Sequence, residues 1–330
     1  MDVSCAFPTT LDTPEHVAVA EEIGYRRAWL YDTPQNSPDV WMSLALSAAR
    51  TTRIGLGPGV LVPTLRHPMV NAAATATLAE LAPGRVTVAF GTGFSGRRAM
   101  GYRGIGWSYM RGYIAAYLGL LRGETVEWEG ARMRMLHPDG SAPPRPVDVP
   151  VLIAAQGPKG RGVAEEFGAG LFASRRLPDF ASAFSRVALL AFGTVLDDGE
   201  DASSPRVRAA AGPGAALFWH STYEFGGPDA VRALPGGPEW MRVVEREAPE
   251  LRHLAVHRGH AVELNDADAA AWAAGGEGVA GMSACYGTPD RIRARLAELR
   301  ESGLTEIVYQ PGGPDIRAEL ERFHAVAATA

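Results

Sequence analysis

With 330 residues, 46% of them hydrophobic and 21% charged, the chain has apolar material for a large core and no compositional case for disorder. A formal net charge of −5 gives no general attraction for nucleic acid or an anionic membrane, so any anion must be bound locally and the expected partner is a small molecule. Two cysteines cannot build a disulfide framework, and neither a membrane-length apolar run nor the basic, apolar start of a signal peptide is present, so the cytoplasm is the expected compartment.

Parallel strands buried on both faces read as short continuous apolar runs, and helices as a period near 3.6. Residues 3–7 read as a strand and 13–23 as a helix, followed by a strand at 28–31 and a helix at 38–50. A strand at 53–61, a helix at 67–81 and a fourth strand at 85–90 continue the βαβ rhythm of a parallel sheet. Residues 107–121 read as a helix, 125–136 as a polar hairpin, 151–155 as a strand, 160–169 as a helix and 170–174 as a strand. Residues 178–196 read as helical, 207–219 as a seventh strand near AALFW, 288–302 as an amphipathic helix and 306–310 as an eighth strand.

Eight such strands predict an α/β fold of the (β/α)8 TIM-barrel type, with residues 1–330 as a single domain. The Gly/Pro-rich and then helical stretch 221–281 breaks the rhythm and reads as an insertion between strands seven and eight, above the C-terminal face. The competing architecture is an open, doubly wound sheet, for which Gly91-Thr92-Gly93-Phe94-Ser95-Gly96 supplies a G-x-G-x-x-G match. That match lies in the fourth βα unit and has no acidic residue between Gly96 and Glu124 for a ribose, so it reads as a glycine-rich barrel loop.

Reactive groups of such a barrel lie where strands end and βα loops begin. Gln156-Gly157-Pro158-Lys159-Gly160 follows an apolar strand and precedes a helix, which offers free N–H groups and a helix N-terminus to a phosphate; it also carries the chain's only lysine. An ordinary βα turn would use the same glycines and proline for their dihedrals. Arg97, Arg98, Arg175 and Arg176 fall on the same face and suit a polyanionic tail, although arginine pairs also serve as plain solvated surface. Gly57-Pro58-Gly59-Val60 at a strand end marks a bulge or a close approach of backbone to ligand.

Asp32, His220, Tyr223, Glu224, His257 and His260 are the proton-transfer groups near the mouth. His257 and His260 have no third ligand at a useful spacing, so no metal site is expected. No G-x-S-x-G elbow, P-loop or C-x-x-C occurs, and the residues by themselves point to a barrel that binds a phosphorylated small molecule.

The run RIGLGPGVLVPTLRHPMVNAAATATLAELAPGRVTVAFGTGFSGRRAMG resembles the luciferase-like flavin oxidoreductases, in particular those grouped with methylenetetrahydromethanopterin reductase. VLIAAQGPKGRGVAEEFGAGLF and GTPDRIRARLAELRESGLTEIVYQP are similar to later blocks of that family, in the same order. The resemblance implies a (β/α)8 fold, a homodimer, and coenzyme F420 or FMN across the C-terminal mouth. It places the cofactor phosphate at Gly157, Pro158, Lys159 and Gly160 beside Gln156, the flavin-side loop at Thr92, Gly93 and Ser95, and a cis peptide at Gly59–Val60.

Two positions depart from the family pattern: Phe94 stands where many members have an acid, and Asp32-Thr33 where an Asp-His pair is familiar. Asp32, His220 and His257 are therefore the candidate catalytic residues by position, with Arg175 and Arg176 as contacts for an F420 tail. The expected activity is F420-dependent hydride transfer to or from a small organic substrate. FMNH2-dependent monooxygenation is the alternative, and a barrel that binds a flavin without turnover is the rival from another class.

Overall fold

The computed structural model describes residues 1–330. Its first half alternates β1 (Asp2–Phe7), α1 (Thr13–Ile23), β2 (Arg27–Leu30), α2 (Val40–Arg50), β3 (Gly55–Pro58), α3 (Pro68–Leu81) and β4 (Val88–Phe90), followed by α4 (Phe94–Arg98) and α5 (Trp107–Arg122). The hairpin β5 (Val126–Trp128) and β6 (Ala131–Met133) comes next, then β7 (Val151–Ile153), α6 (Pro158–Glu166), β8 (Gly170–Ser174) and β9 (Val187–Phe192). Four helices, α7 (Pro205–Arg232), α8 (Gly237–Val244), α9 (Arg252–His257) and α10 (Asp266–Ala273), precede α11 (Pro289–Glu301), β10 (Glu306–Gln310) and α12 (Ile316–Ala327). No helix is long and apolar enough to cross a membrane.

Eight parallel strands run in the order β3-β2-β1-β10-β9-β8-β7-β4. Parallel bridges Leu56–Val86 and Leu61–Phe90 join the outermost two and bring the sheet round into a barrel. The seam is tight enough that a Cβ on Gly57 would collide with the Thr87 carbonyl, which is why glycine stands there. The hairpin lies outside this sheet and is antiparallel, as its polar pattern predicts.

Side chains alternate inward and outward along each strand, and the inward ones stack in layers. At the N-terminal end Glu306 accepts from Arg27 Nη1 at 3.0 Å and from Trp29 Nε1 at 2.9 Å. Trp29, Phe172, Leu190 and Val308 fill the middle, with Trp29 and Phe172 in edge contact at 5.0 Å. At the C-terminal end Tyr31 donates to Gln310 Oε1 at 2.5 Å, and Gln310 Nε2 donates to the Ala261 carbonyl at 2.6 Å. Outward side chains and the surrounding helices make a separate core of 52 buried residues.

One strand lies elsewhere than the sequence suggests. The seventh barrel strand is β9, inside the segment that reads as helical, and AALFW belongs to α7. Short apolar runs such as VALLAF do not distinguish a buried strand from a buried helix, and the Ala-rich segment 207–219 has the stronger helical propensity despite Pro213. The excursion between strands seven and eight therefore starts at Pro205 rather than at 221, and its helical part ends at Met282. It carries a small core of its own, including Trp219, Trp240, Met241 and Val279, and inserts Leu217 and Ala261 among the inward barrel residues.

Glu306 and Arg27 are only 7% and 8% exposed, so removing one charge strands the other. Glu306→Ala is expected to cost about 3–5 kcal/mol of unfolding free energy, read as a lower urea midpoint at unchanged m-value. The double variant Arg27→Met/Glu306→Leu is expected to recover part of that loss. A Glu306→Ala protein as stable as the parent would show that the pair contributes nothing to the barrel.

Candidate active site

The mouth is assembled from βα loops with little room to spare. The Gly59–Val60 peptide is cis, and a Cβ on Gly59 would lie 2.9 Å from the Trp29 ring, so the strand-three backbone passes directly over that indole. A Cβ on Gly91 would collide with Val60, which makes room for the Val60 side chain against the barrel interior. Gly93, with φ of 86°, turns the chain from β4 into α4, and the Thr92 carbonyl accepts from Ile105 N at 2.9 Å. Ser95 follows in the first turn of α4.

In the neighbouring loop, after the strand β7 that pairs with β4, Gly157 precedes α6, and Pro158 and Lys159 in its first turn are exposed. A Cβ on Gly157 would meet nothing within 4 Å, whereas one on Gly160 would lie 2.6 Å from Trp107 Cη2. The loop is thus open above and held tightly below. Gln156 Nε2 donates to the Arg176 carbonyl at 3.3 Å, which brings the loops after β7 and β8 side by side. Lys159 and Arg176 are exposed on this rim and have no carboxylate partner. Arg175, held at φ of 66°, points instead to the excursion: it bonds the Ser221 hydroxyl and lies 5.3 Å from the Phe218 ring centroid.

Three histidines converge beneath the excursion. His220 Nδ1 lies 2.9 Å from His260 Nδ1, and His257 Nδ1 lies 3.5 Å from the same atom. Each ring's other nitrogen meets an oxygen: His220 Nε2 with Asp268 Oδ1 at 2.9 Å, His257 Nε2 with Glu224 Oε1 at 3.0 Å, and His260 Nε2 with Ser95 Oγ at 2.7 Å. Trp240 Nε1 also donates to Asp268 Oδ1, at 2.7 Å, and Arg98 Nη1 donates to Glu224 Oε2 at 2.6 Å. Phe94 packs against His257 and His260 and stacks on the exposed Phe225 ring.

Burial pushes the His260 imidazole well below its ordinary value, with the neighbouring histidines adding to the effect. Burial likewise lowers His257, against the pull of Glu224. For Glu224, burial raises the carboxyl but His257 and Arg98 outweigh it and hold it below the usual range.

The structure brings His220 and His257 together and leaves Asp32 apart from them. His220 lies within α7 and not at a strand end, and it reaches the mouth because α7 crosses above the barrel. Asp32 is buried: its Oδ1 accepts from Arg66 Nη1 at 2.6 Å, and its Oδ2 from Val62 N at 3.4 Å. Burial lifts this carboxyl above its ordinary value even against Arg66.

His220, 37 positions before His257 in the chain, brings a third ring nitrogen to His257 and His260, which sequence spacing did not indicate. Sequence reasoning also missed Asp268, Trp240 and Arg66. Asn265-x-x-Asp268 is legible as a helix-start pattern and forms a capping box, but nothing in that pattern points to a histidine. Two clefts, of about 480 and 520 Å3, open elsewhere: one at the N-terminal end around Tyr25 and Arg53, the other beside the start of α7. Neither includes a mouth residue discussed above.

A model of the luciferase-like monooxygenase family matches residues 8–306. The 5,10-methylenetetrahydromethanopterin reductase of Methanolobus tindarius is 28% identical over 326 residues, covering 92% of each chain. The F420-dependent glucose-6-phosphate dehydrogenase of Beutenbergia cavernae is 35% identical over 175 residues, 48% of this chain and 51% of that one. Among solved structures, the coenzyme F420 dependent tetrahydromethanopterin reductase of Methanopyrus kandleri has the same fold, with a TM-score of 0.67 at 20% identity over 100% of this chain and 99% of its own. With the family pattern running through nearly the whole barrel, the chain belongs to the luciferase-like monooxygenase family.

Proposed function

We propose that this protein is an F420-dependent oxidoreductase that moves a hydride between the deazaflavin and a small organic substrate. The observation that carries the reading is the relatives themselves: a reductase matched along 92% of both chains, and F420-dependent dehydrogenases matched at 31–35% identity over about half. The residues of the mouth fit such a cofactor. The open approach to the α6 N-terminus suits a phosphate, and Lys159 and Arg176 are cations without partners, as a tail carrying several negative charges requires. FMN, with its single phosphate, would leave part of this rim unused.

F420 supplies or accepts the hydride; the protein binds, orients and shields it. Lys159 and the amides of Gly157 to Gly160 would hold the phosphate, with Gln156 and Pro158 shaping the loop. The Gly59–Val60 backbone and the loop of Thr92, Gly93 and Ser95 would support the ring. The Ser95 hydroxyl, bonded to His260 at 2.7 Å, would link this loop to the histidine cluster, where His220 and His257 would be the proton-handling candidates. Asp32, fixed by Arg66, holds the strand-three turn through Val62, while Asp268 and Glu224 orient His220 and His257. Arg175 fastens the excursion that shapes the substrate pocket. Barrel and excursion are read as one unit, and Gln310 and Leu217 link them.

A homodimer goes with this reading. Met42 and Leu46 on α2 and Val70 and Leu81 on α3 are 71%, 52%, 51% and 52% exposed, an apolar surface that a second copy would cover. Light scattering at micromolar concentration is expected to give twice the chain mass, and Met42→Glu/Leu46→Glu to give the chain mass alone. A monomeric parent would contradict the dimer.

Titration of the purified protein with F420 and with FMN tests the cofactor. F420 is expected to bind more tightly. Lys159→Ala is expected to weaken F420 binding about tenfold to a hundredfold at low salt, as the loss of a charge-assisted bond of about 1.5–3 kcal/mol implies, with the melting temperature of the ligand-free protein little changed. Tighter binding of FMN would favour the monooxygenase reading. Equal F420 affinity of Lys159→Ala and parent would move the phosphate elsewhere on the rim.

A further inference from the structure

We propose that His220, His257 and His260 bind a divalent cation of the zinc class through their Nδ1 atoms, at a site beneath the excursion and against the loop after β4. The three rings each offer one nitrogen, and these nitrogens all lie within 4.8 Å of one another. The separations of 2.9 and 3.5 Å from His260 Nδ1 bracket the spacing of about 3.3 Å expected between nitrogens that share a tetrahedral ion at roughly 2.0–2.1 Å. All three rings are buried, at 0%, 1% and 7% exposure, in a shell that includes Phe94 and Trp240.

Counting protons favours a cation. Asp268 Oδ1 already accepts from Trp240, and Glu224 Oε2 from Arg98, so these carboxylates draw N–H donors from His220 Nε2 and His257 Nε2. A neutral imidazole has one N–H, so both of these rings turn a lone pair inward at Nδ1. His260 can donate a single Nδ1 proton to one of them, which leaves the other lone pair buried without a donor. A cation satisfies all three at once. His260 Nε2–H then donates to Ser95 Oγ, and the Ser95 proton is free to face the mouth.

The surroundings are those a metal-binding imidazole requires: a carboxylate behind His220, a carboxylate behind His257 and a hydroxyl behind His260, each fixing the ring and its tautomer. His220 comes from α7, His257 ends α9, His260 follows it, and Ser95 belongs to α4. An ion here would clasp the excursion onto the loop after the fourth barrel strand. No other His, Cys, Asp or Glu joins the group, so a fourth position is left for water or a substrate oxygen.

Tag-free protein stripped with a chelator and titrated with Co2+ in the absence of F420 tests the site. The expected result is one Co2+ per chain, with the visible absorption of a four- or five-coordinate ion, displaced by one equivalent of Zn2+, and a melting temperature that rises with Zn2+. Glu224→Gln, which keeps the ligands but weakens the support of His257 and removes the ion pair with Arg98, is expected to lower the affinity about tenfold to a hundredfold. His260→Gln is expected to abolish the absorption; should that variant fail to fold, the parent's spectrum and the Glu224→Gln affinity decide. Parent protein with no such absorption, or Glu224→Gln binding as tightly as the parent, would overturn the proposal and leave a hydrogen-bonded histidine cluster. Because no F420 is present, failure here leaves the hydride-transfer reading untouched.

Discussion

A parallel sheet that closes on itself has to fill its own interior, and the layered filling of this barrel decides where chemistry is possible. At the N-terminal end Glu306 accepts from both Arg27 and Trp29. Trp29, Phe172, Leu190 and Val308 close the middle. At the C-terminal end the Tyr31–Gln310 pair is a platform on which the excursion rests through the Ala261 carbonyl. The βα loops that end on this face can then be shaped for a ligand without disturbing the core.

That arrangement explains why two chemically different surfaces meet in one place. One flank, from Gln156 to Gly160 and at Arg176, is open, cationic and built from backbone at a helix N-terminus. The adjoining flank, around Ser95 and His260, is more buried, aromatic and rich in imidazole. Ser95 joins them: it sits in the loop after β4 and bonds directly to the histidine cluster. The excursion from Pro205 to Met282 contributes all three histidines, so its docking is what assembles the cluster against Ser95.

The barrel was legible in the sequence because strands buried on both faces leave apolar runs that recur with helices between them. The glycine-rich loops were legible too, since close backbone approach restricts Gly57, Gly91 and Gly160 to a residue without a side chain. VALLAF and AALFW exchanged roles because a short apolar run has no periodicity to read, and the parallel registers with β8 and β10 fix the former as a strand. His220, His257 and His260 could be listed as mouth groups, but their convergence depends on how α7 crosses the barrel, which no local pattern encodes. Asp268 was hidden for a further reason: its capping role accounts fully for its place in the sequence.

The most direct measurement of the central claim is a crystal structure of the protein with F420. The account predicts the deazaflavin ring over the Gly59–Val60 peptide, with the nearest phosphate within hydrogen-bonding distance of Lys159 Nζ and of amides between Gly157 and Gly160. A ring bound away from the C-terminal mouth, or a phosphate held on the far side of the barrel from α6, would contradict it.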